Sequence, residues 1–126
     1  MSNFQIHEFH PQVYPRRLWV AKGGTFDDVK VLFRGIDGNE LIEAQDCLAT
    51  TYMVKRKDDD RHLGHLIWFP SAKYMTASNM AHEAVHVSMD LCSLIDCYID
   101  TDNQEPFAYL VGWVTDCMDK VKRIKL

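Results

Sequence analysis

The feature that most constrains this chain is a predicted helix that is apolar on one side and carries a short polar motif on another. The helix is predicted over about residues 78–98. Side chains three and four residues apart share one face of a helix. The polar motif is His82-Glu83-Ala84-Val85-His86, which places two imidazoles one turn apart. The apolar stripe consists of Met80, Ala84, Val87, Leu91, Leu94, Ile95 and Tyr98.

Two imidazoles at this spacing can bind one metal ion, with Glu83 on the adjacent side of the helix. Zinc hydrolases use this arrangement: the two His side chains hold the ion and the Glu takes a proton from the attacking water. Because the motif is short, ordinary surface or core histidines are the alternative interpretation. The apolar setting favours a metal, since buried polar groups need partners. Asp90 is either an acceptor that orients His86 or a solvated carboxylate.

A carboxylate follows the motif at a spacing that suits a third ligand. Eighteen residues separate His86 from Glu105, which precedes a helix predicted from Pro106 to about Lys122. If this helix returns antiparallel, its first turn could bring a third protein ligand to the imidazoles and leave a fourth position for water. The alternative for Glu105 is a helix-start carboxylate favoured by the helix dipole, in a capping box with Asp102.

The combination of H-E-x-x-H, eighteen residues and Glu resembles the gluzincin metallopeptidases. The aminopeptidase branch is the most similar, because Asn103, Phe107 and Ala108 surround Glu105 in a comparable context, with Gln104 inserted. The resemblance implies a zincin-like α+β fold, in which a small β-sheet packs on the H-E-x-x-H helix and a C-terminal helix. It also implies a Zn²⁺ cofactor. The small size is similar to that of single-lobed gluzincins from bacterial and phage genomes.

Carried onto this sequence, the resemblance assigns His82, His86 and Glu105 as zinc ligands and Glu83 as the catalytic base. The function it implies is hydrolysis of a peptide or protein substrate, bound along a sheet edge at residues 65–68. A second interpretation stays open: a catalytically inactive zincin-fold module for binding or structure, encoded by a phage or mobile element.

The larger enzymes of this resemblance have two features for which the sequence offers no clear counterpart. One is an oxyanion donor downstream of the third ligand, and the other is a second lobe. A homo-oligomer would be one way to close the cleft. Candidate oxyanion donors, for each of which a structural role is favoured, are His62, His65, Tyr98 and Tyr109.

A mixed part is predicted ahead of the motif helix. Its strands are rich in β-formers, and Thr25 is a plausible helix N-cap. Residues 39–46 are ambiguous and allow a second short helix. The predicted elements are an irregular arm over 1–16, a buried strand over 18–21, a helix from Phe26 to about Arg34, and a hairpin of strands over 50–55 and 62–69.

Composition fits a single soluble domain over residues 1–126, with 47% apolar and 25% charged residues. The net charge of −4 gives no support for a nucleic-acid partner. No apolar run is long enough to cross a membrane, and no signal peptide is visible. The four cysteines form no C-x-x-C pair, which predicts a reducing, cytoplasmic setting. Three of them are predicted to be small core residues: Cys92, Cys97 and Cys117.

Overall fold

A five-stranded mixed sheet and three helices form the part of the chain that the computed structural model describes, residues 3–44 and 48–125. This is a small α+β domain. A 3₁₀ turn over Ala72–Tyr74 leads into the second helix. In chain order the elements are β1 (Gln5–Phe9), β2 (Arg17–Lys22), α1 (Phe26–Leu32), β3 (Phe33–Gly35), β4 (Thr50–Arg56), β5 (Leu63–Phe69), α2 (Ala77–Leu94) and α3 (Glu105–Arg123).

The strands lie in the order β1-β2-β5-β4-β3. β2 and β5 are parallel, and the other neighbours are antiparallel. The two parallel strands form the centre of the sheet and are covered on both faces, which explains their nearly continuous apolar runs. The predicted strand over 18–21 and the β4–β5 hairpin are therefore confirmed.

Successive side chains of the central strands point to opposite faces of the sheet, and each face carries its own core. One core packs the sheet against α2 and α3, and the other packs it against α1. Leu18, Val20, Ile67 and Phe69 belong to the α2–α3 core. The α1 core contains Trp19, Ala21, Val29, Phe33, Leu41, Val54, Leu66 and Trp68.

The helix α1 begins where the sequence predicts and ends earlier. The backbone N–H of the N-cap Thr25 donates to the Asp28 carboxylate at 2.8 Å, which satisfies one polar group of the helix start. The predicted end at about Arg34 is two residues too late. Residues 33–35 instead leave the helix and pair with β4, from Phe33 opposite Arg56 to Gly35 opposite Val54. The gain of sheet pairing and of burial for Phe33 outweighs one further half-turn of helix.

The helices α2 and α3 pack side by side and run in opposite directions. The last turn of α3 lies at the carboxyl end of β2, because the Lys22 ammonium donates to the Lys122 carbonyl at 3.4 Å. The helix α2 starts at the same end of the sheet, since it follows β5, the parallel neighbour of β2. The first residue of α3, Glu105, therefore lies at the level of the last residues of α2. The shared core contains Met80, Ala84, Val87 and Leu91 of α2 with Leu110, Val114, Met118 and Val121 of α3.

The predicted irregular arm over 1–16 is partly wrong. Residues 5–9 form the edge strand β1, paired antiparallel with β2 from Gln5 opposite Lys22 to Phe9 opposite Leu18. Pairing with a buried neighbour gives the backbone of this polar segment its hydrogen bonds, which the side-chain pattern alone does not reveal. The second short helix allowed over 39–46 does not form over 39–44, and residues 45 and 46 lie outside the described part of the chain.

The predicted end of the motif helix is also too late. The helix α2 ends at Leu94, and the left-handed backbone of Asp96, with φ of 54°, turns the chain away. Tyr98 is exposed, so the buried stripe stops short of it. Cys97 is exposed and not a core residue, because it lies beyond this turn, whereas Cys92 and Cys117 are buried as predicted.

None of the helices in residues 3–44 and 48–125 has both the length and the apolar character needed to cross a membrane. This agrees with the absence of a long apolar run in the sequence.

Candidate metal centre

The helix α2 brings the three chemical groups of the motif together. His82 and His86 are exposed on the outer side of the helix, while Glu83, 6% exposed, points toward β4. The Nε2 atoms of His82 and His86 are 3.1 Å apart, and their rings meet edge to face with centroids 4.7 Å apart. One Glu83 oxygen, Oε2, lies 3.8 Å from His82 Nε2. One ligand atom from each of the three side chains lies within 4.8 Å of the others.

This spacing fits a shared metal ion. Zinc binds imidazole nitrogen at about 2.0–2.1 Å with tetrahedral angles, so two ligand nitrogens lie about 3.3 Å apart. The observed 3.1 Å between the Nε2 atoms of His82 and His86 is close to that value. An N–H···N hydrogen bond between the two imidazoles has a similar length. The two nitrogens thus lie as close together as two ligands of one ion would, and the carboxylate of Glu83 lies beside them.

A threonine on β4 holds the carboxylate of the motif. The Thr51 hydroxyl donates to Glu83 Oε1 at 2.9 Å, which leaves Oε2 on the side of His82. Thr51 lies opposite Ile67, a residue of the α2–α3 core, so its side chain faces α2. Thr51 cannot be predicted from the motif, because 32 residues separate it from Glu83. The only signal is strand alternation, which places Thr51 on the buried face once that of β4 is known.

Beside this threonine, β4 has an edge that none of the described strands covers, here called the free edge. Arg56 N–H bonds toward β5, to the His62 carbonyl, and backbone groups alternate in direction along a strand. Residues 51, 53 and 55 therefore direct their backbone groups away from β5. Lys55 pairs with β3 and the Met53 carbonyl accepts from Ile36 N–H. In the described parts of the chain, the outward backbone groups of Thr51 have no partner.

The predicted sheet edge at residues 65–68 is wrong. These residues belong to β5, which lies in the sheet between β2 and β4. Their side chains are buried on both faces, as expected for a central strand. The free edge nearest the motif is the Thr51 end of β4.

Glu105 lies outside the group formed by the motif. It is exposed at the first residue of α3, at the level of the last residues of α2. Leu94, the last residue of α2, is eight residues beyond His86, which corresponds to about 12 Å along the helix axis. Among residues 3–44 and 48–125, the group of three side chains suited to a metal is His82, Glu83 and His86. A Glu105 ligand stays a prediction.

Asp90 contacts a different histidine from the one that the sequence suggests. Its Oδ2 lies 3.7 Å from Nε2 of His65, which is 2% exposed and has no hydrogen-bond partner for that nitrogen in the described structure. Burial lowers the pKa of His65, an effect that the Asp90 charge opposes. His65 is therefore a buried histidine below α2.

The other candidate oxyanion donors also lie in ordinary structural settings. His62 Nε2 is 3.4 Å from an Asp59 oxygen in the turn between β4 and β5. Tyr98 and Tyr109 are largely exposed. No contact of these three side chains with the motif is found among the described residues.

A scan against protein-family models found no match, and searches against curated proteins and solved structures found none either. What supports the site is therefore the motif and the cluster that α2 forms from it.

Proposed function

We propose that this chain is a zinc-dependent peptidase in which His82 and His86 hold the ion and Glu83 is the general base. The observation that carries the proposal is the convergence of two imidazole nitrogens, 3.1 Å apart, beside a buried carboxylate. Zinc, when bound, would lower the pKa of a water and polarise the scissile carbonyl.

Glu83 would take and return the proton. Its Oε1 accepts from Thr51, so Oε2 is the oxygen available to a water on the histidine side. The carboxylate would then pass that proton to the leaving amine. Thr51 acts as a positioning residue, because its hydroxyl fixes the rotation of the carboxylate that does the chemistry.

The free edge of β4 supports a peptide as the substrate. An extended chain can add to an exposed strand through main-chain hydrogen bonds. The outward N–H and carbonyl of Thr51 would provide one such pair, next to the Glu83 carboxylate that this residue orients. A substrate bound there would lie along α2, beside the two histidines.

The first experiment measures zinc and cleavage together. The protein is purified without chelator or nickel resin, and its zinc is measured by mass spectrometry alongside cleavage of a diverse peptide library. We expect about one zinc per chain in the wild type and in Glu83→Gln, whose amide oxygen can still accept from Thr51. We expect cleavage in the wild type alone, and cleavage that persists in Glu83→Gln would rule out the mechanism.

The variant Glu105→Gln decides the third ligand. If Glu105 binds the ion, the variant loses zinc as a histidine variant does. If water occupies the third position, zinc content equals that of the wild type. The position of Glu105 at the far end of α2 leads us to expect the second result.

A second candidate function is a metal-binding module without catalysis. Two observations favour it: Glu83 is almost fully buried, and Glu105 lies outside the motif group. In a module of this kind, the ion would link the His82 and His86 side chains on the outer side of α2 and would have no catalytic role. One zinc per chain without cleavage of any library peptide would support this function over the peptidase.

A further inference from the structure

The C-terminal end of α2 brings two cysteines together. The backbone N–H of Cys97 donates to the Cys92 carbonyl at 2.9 Å, and the N–H of Asp96 donates to the Ser93 carbonyl at 3.3 Å. Asp96 between them has left-handed backbone, with φ of 54°. These two bonds and the left-handed residue define a Schellman motif, in which Cys92 is the third residue from the helix end and Cys97 is the second residue beyond the C-cap Ile95.

A Schellman motif usually closes with a contact between the side chains at these two positions. In this chain both side chains are thiols, so the motif places the two thiols next to each other. Cys92 is buried in the α2–α3 core, whereas Cys97 is exposed to solvent. The fold thus pairs an accessible thiol with a protected one, at the two positions whose side chains usually meet in this motif.

We propose that Cys92 and Cys97 form a dithiol site that reacts with small-molecule disulfides and closes to an intramolecular disulfide. In the first step the Cys97 thiolate attacks one sulfur of the reagent, forms a mixed disulfide and releases one thiolate. In the second step the Cys92 thiolate attacks the Cys97 sulfur and releases the second reagent thiolate. The two protons of the cysteines go to the released thiolates, so one disulfide reagent becomes two thiols.

The unequal burial of the two cysteines sets the order of these steps. Burial raises the pKa of the Cys92 thiol, and the Cys97 neighbour raises it further. Cys92 is therefore a poor first nucleophile, and closure of the mixed disulfide accelerates as the pH rises. The buried Cys117 is a matched control in the same core, since burial raises the pKa of its thiol to about 12.

The test uses the full chain in its folded state with oxidised glutathione as the probe. Unreacted thiols are then blocked, and the protein is digested under non-reducing conditions with a protease that cuts at aspartate. Because Asp96 lies between Cys92 and Cys97, the digestion places them in separate peptides. We expect one product in which these two peptides are joined, while Cys117 is recovered blocked in a separate peptide.

Three variants make the result specific. Cys97→Ser, an exposed position, should lose the joined product, and Cys117→Ser should keep it. Cys92→Ser should stop at a stable mixed disulfide on Cys97. Circular dichroism of each variant checks that it is folded. The proposal is overturned if wild-type Cys97 stays as a mixed disulfide at raised pH, or if its bond is to Cys47 or to a second chain. These readouts do not involve zinc or peptide cleavage.

Discussion

Two groups of histidine and carboxylate side chains lie along α2. They differ in how deeply their histidines are buried and in how many histidines they contain. In the outer group, His82 and His86 are exposed and their Nε2 atoms converge to 3.1 Å beside Glu83. In the inner group, a single histidine, His65, is buried below the helix, 3.7 Å from Asp90. The same residue types thus meet in two very different settings within three turns of one helix.

The difference shows what a histidine needs in order to bind metal in this fold. An ion needs several donors close together and a path from solvent. The outer group has three donors within 4.8 Å of one another, and its two histidines are exposed. The inner group offers one imidazole, and burial lowers the pKa of His65, which favours its neutral form. We therefore expect that substituting an outer histidine lowers zinc affinity. Substituting the inner histidine should instead lower the free energy of unfolding.

The largest expected effect is on metal binding by the outer group. His86→Ala removes one of two converging nitrogens and should lower zinc affinity by at least about 100-fold, since even partners of zinc ligands contribute 10–100-fold. The free energy of unfolding of the metal-free protein should change by less than about 0.5 kcal/mol, because the side chain is exposed. Zinc titration and chemical denaturation measure the two quantities. The control His62→Ala removes a histidine outside the group, and equal zinc affinity of the two variants would contradict the assignment.

The reverse result is expected for the inner group. His65→Ala leaves a cavity beneath α2 and should lower the free energy of unfolding by about 2–4 kcal/mol, as other large-to-small core changes do. Its zinc affinity, measured at a temperature where the variant is folded, should stay within about threefold of the wild-type value. If His65→Ala is as stable as the wild type but no longer binds zinc, the inner group also takes part in metal binding, and the proposed difference between the two groups is wrong.

The next effect concerns the carboxylate of the outer group. Thr51→Val keeps the shape of the side chain but removes the donor to Glu83, and we expect peptide cleavage to fall about tenfold with zinc content unchanged. Steady-state cleavage rates and metal analysis give the two values. Thr50→Val is the matched control, because its side chain points to the opposite face of β4. Equal rates for both valine variants would exclude the positioning role of Thr51.

The smallest expected effect is the response of the inner group to pH. Because the pKa of folded His65 lies below its unfolded value of about 6.5, the unfolded chain binds the proton more readily. Stability should therefore fall as the pH drops below about 6.5, by at most about 1.4 kcal/mol per pH unit for this one proton. Denaturation of the wild type and of His65→Gln between pH 5 and pH 7.5 measures the slope. An identical slope in the two proteins would show that His65 does not titrate in this way.

Some of the fold follows from the sequence because the deciding interactions are local. The Thr25 start of α1, the helix α3 and the apolar stripe of α2 as far as Leu91 depend on neighbours within a turn, and each is confirmed. The pairing of β1 and the central place of β5 depend on which strand lies next to which, and side-chain type does not specify this. The same holds for the site. The spacing of His82 and His86 is local and can be read from the sequence, whereas the contact between Thr51 and Glu83 joins residues 32 positions apart.

The most direct test of the central claim is anomalous X-ray diffraction at the zinc edge from crystals grown with zinc. We expect one strong peak between the Nε2 atoms of His82 and His86. A peak elsewhere, or none at this position in a crystal whose zinc content is confirmed, would contradict it.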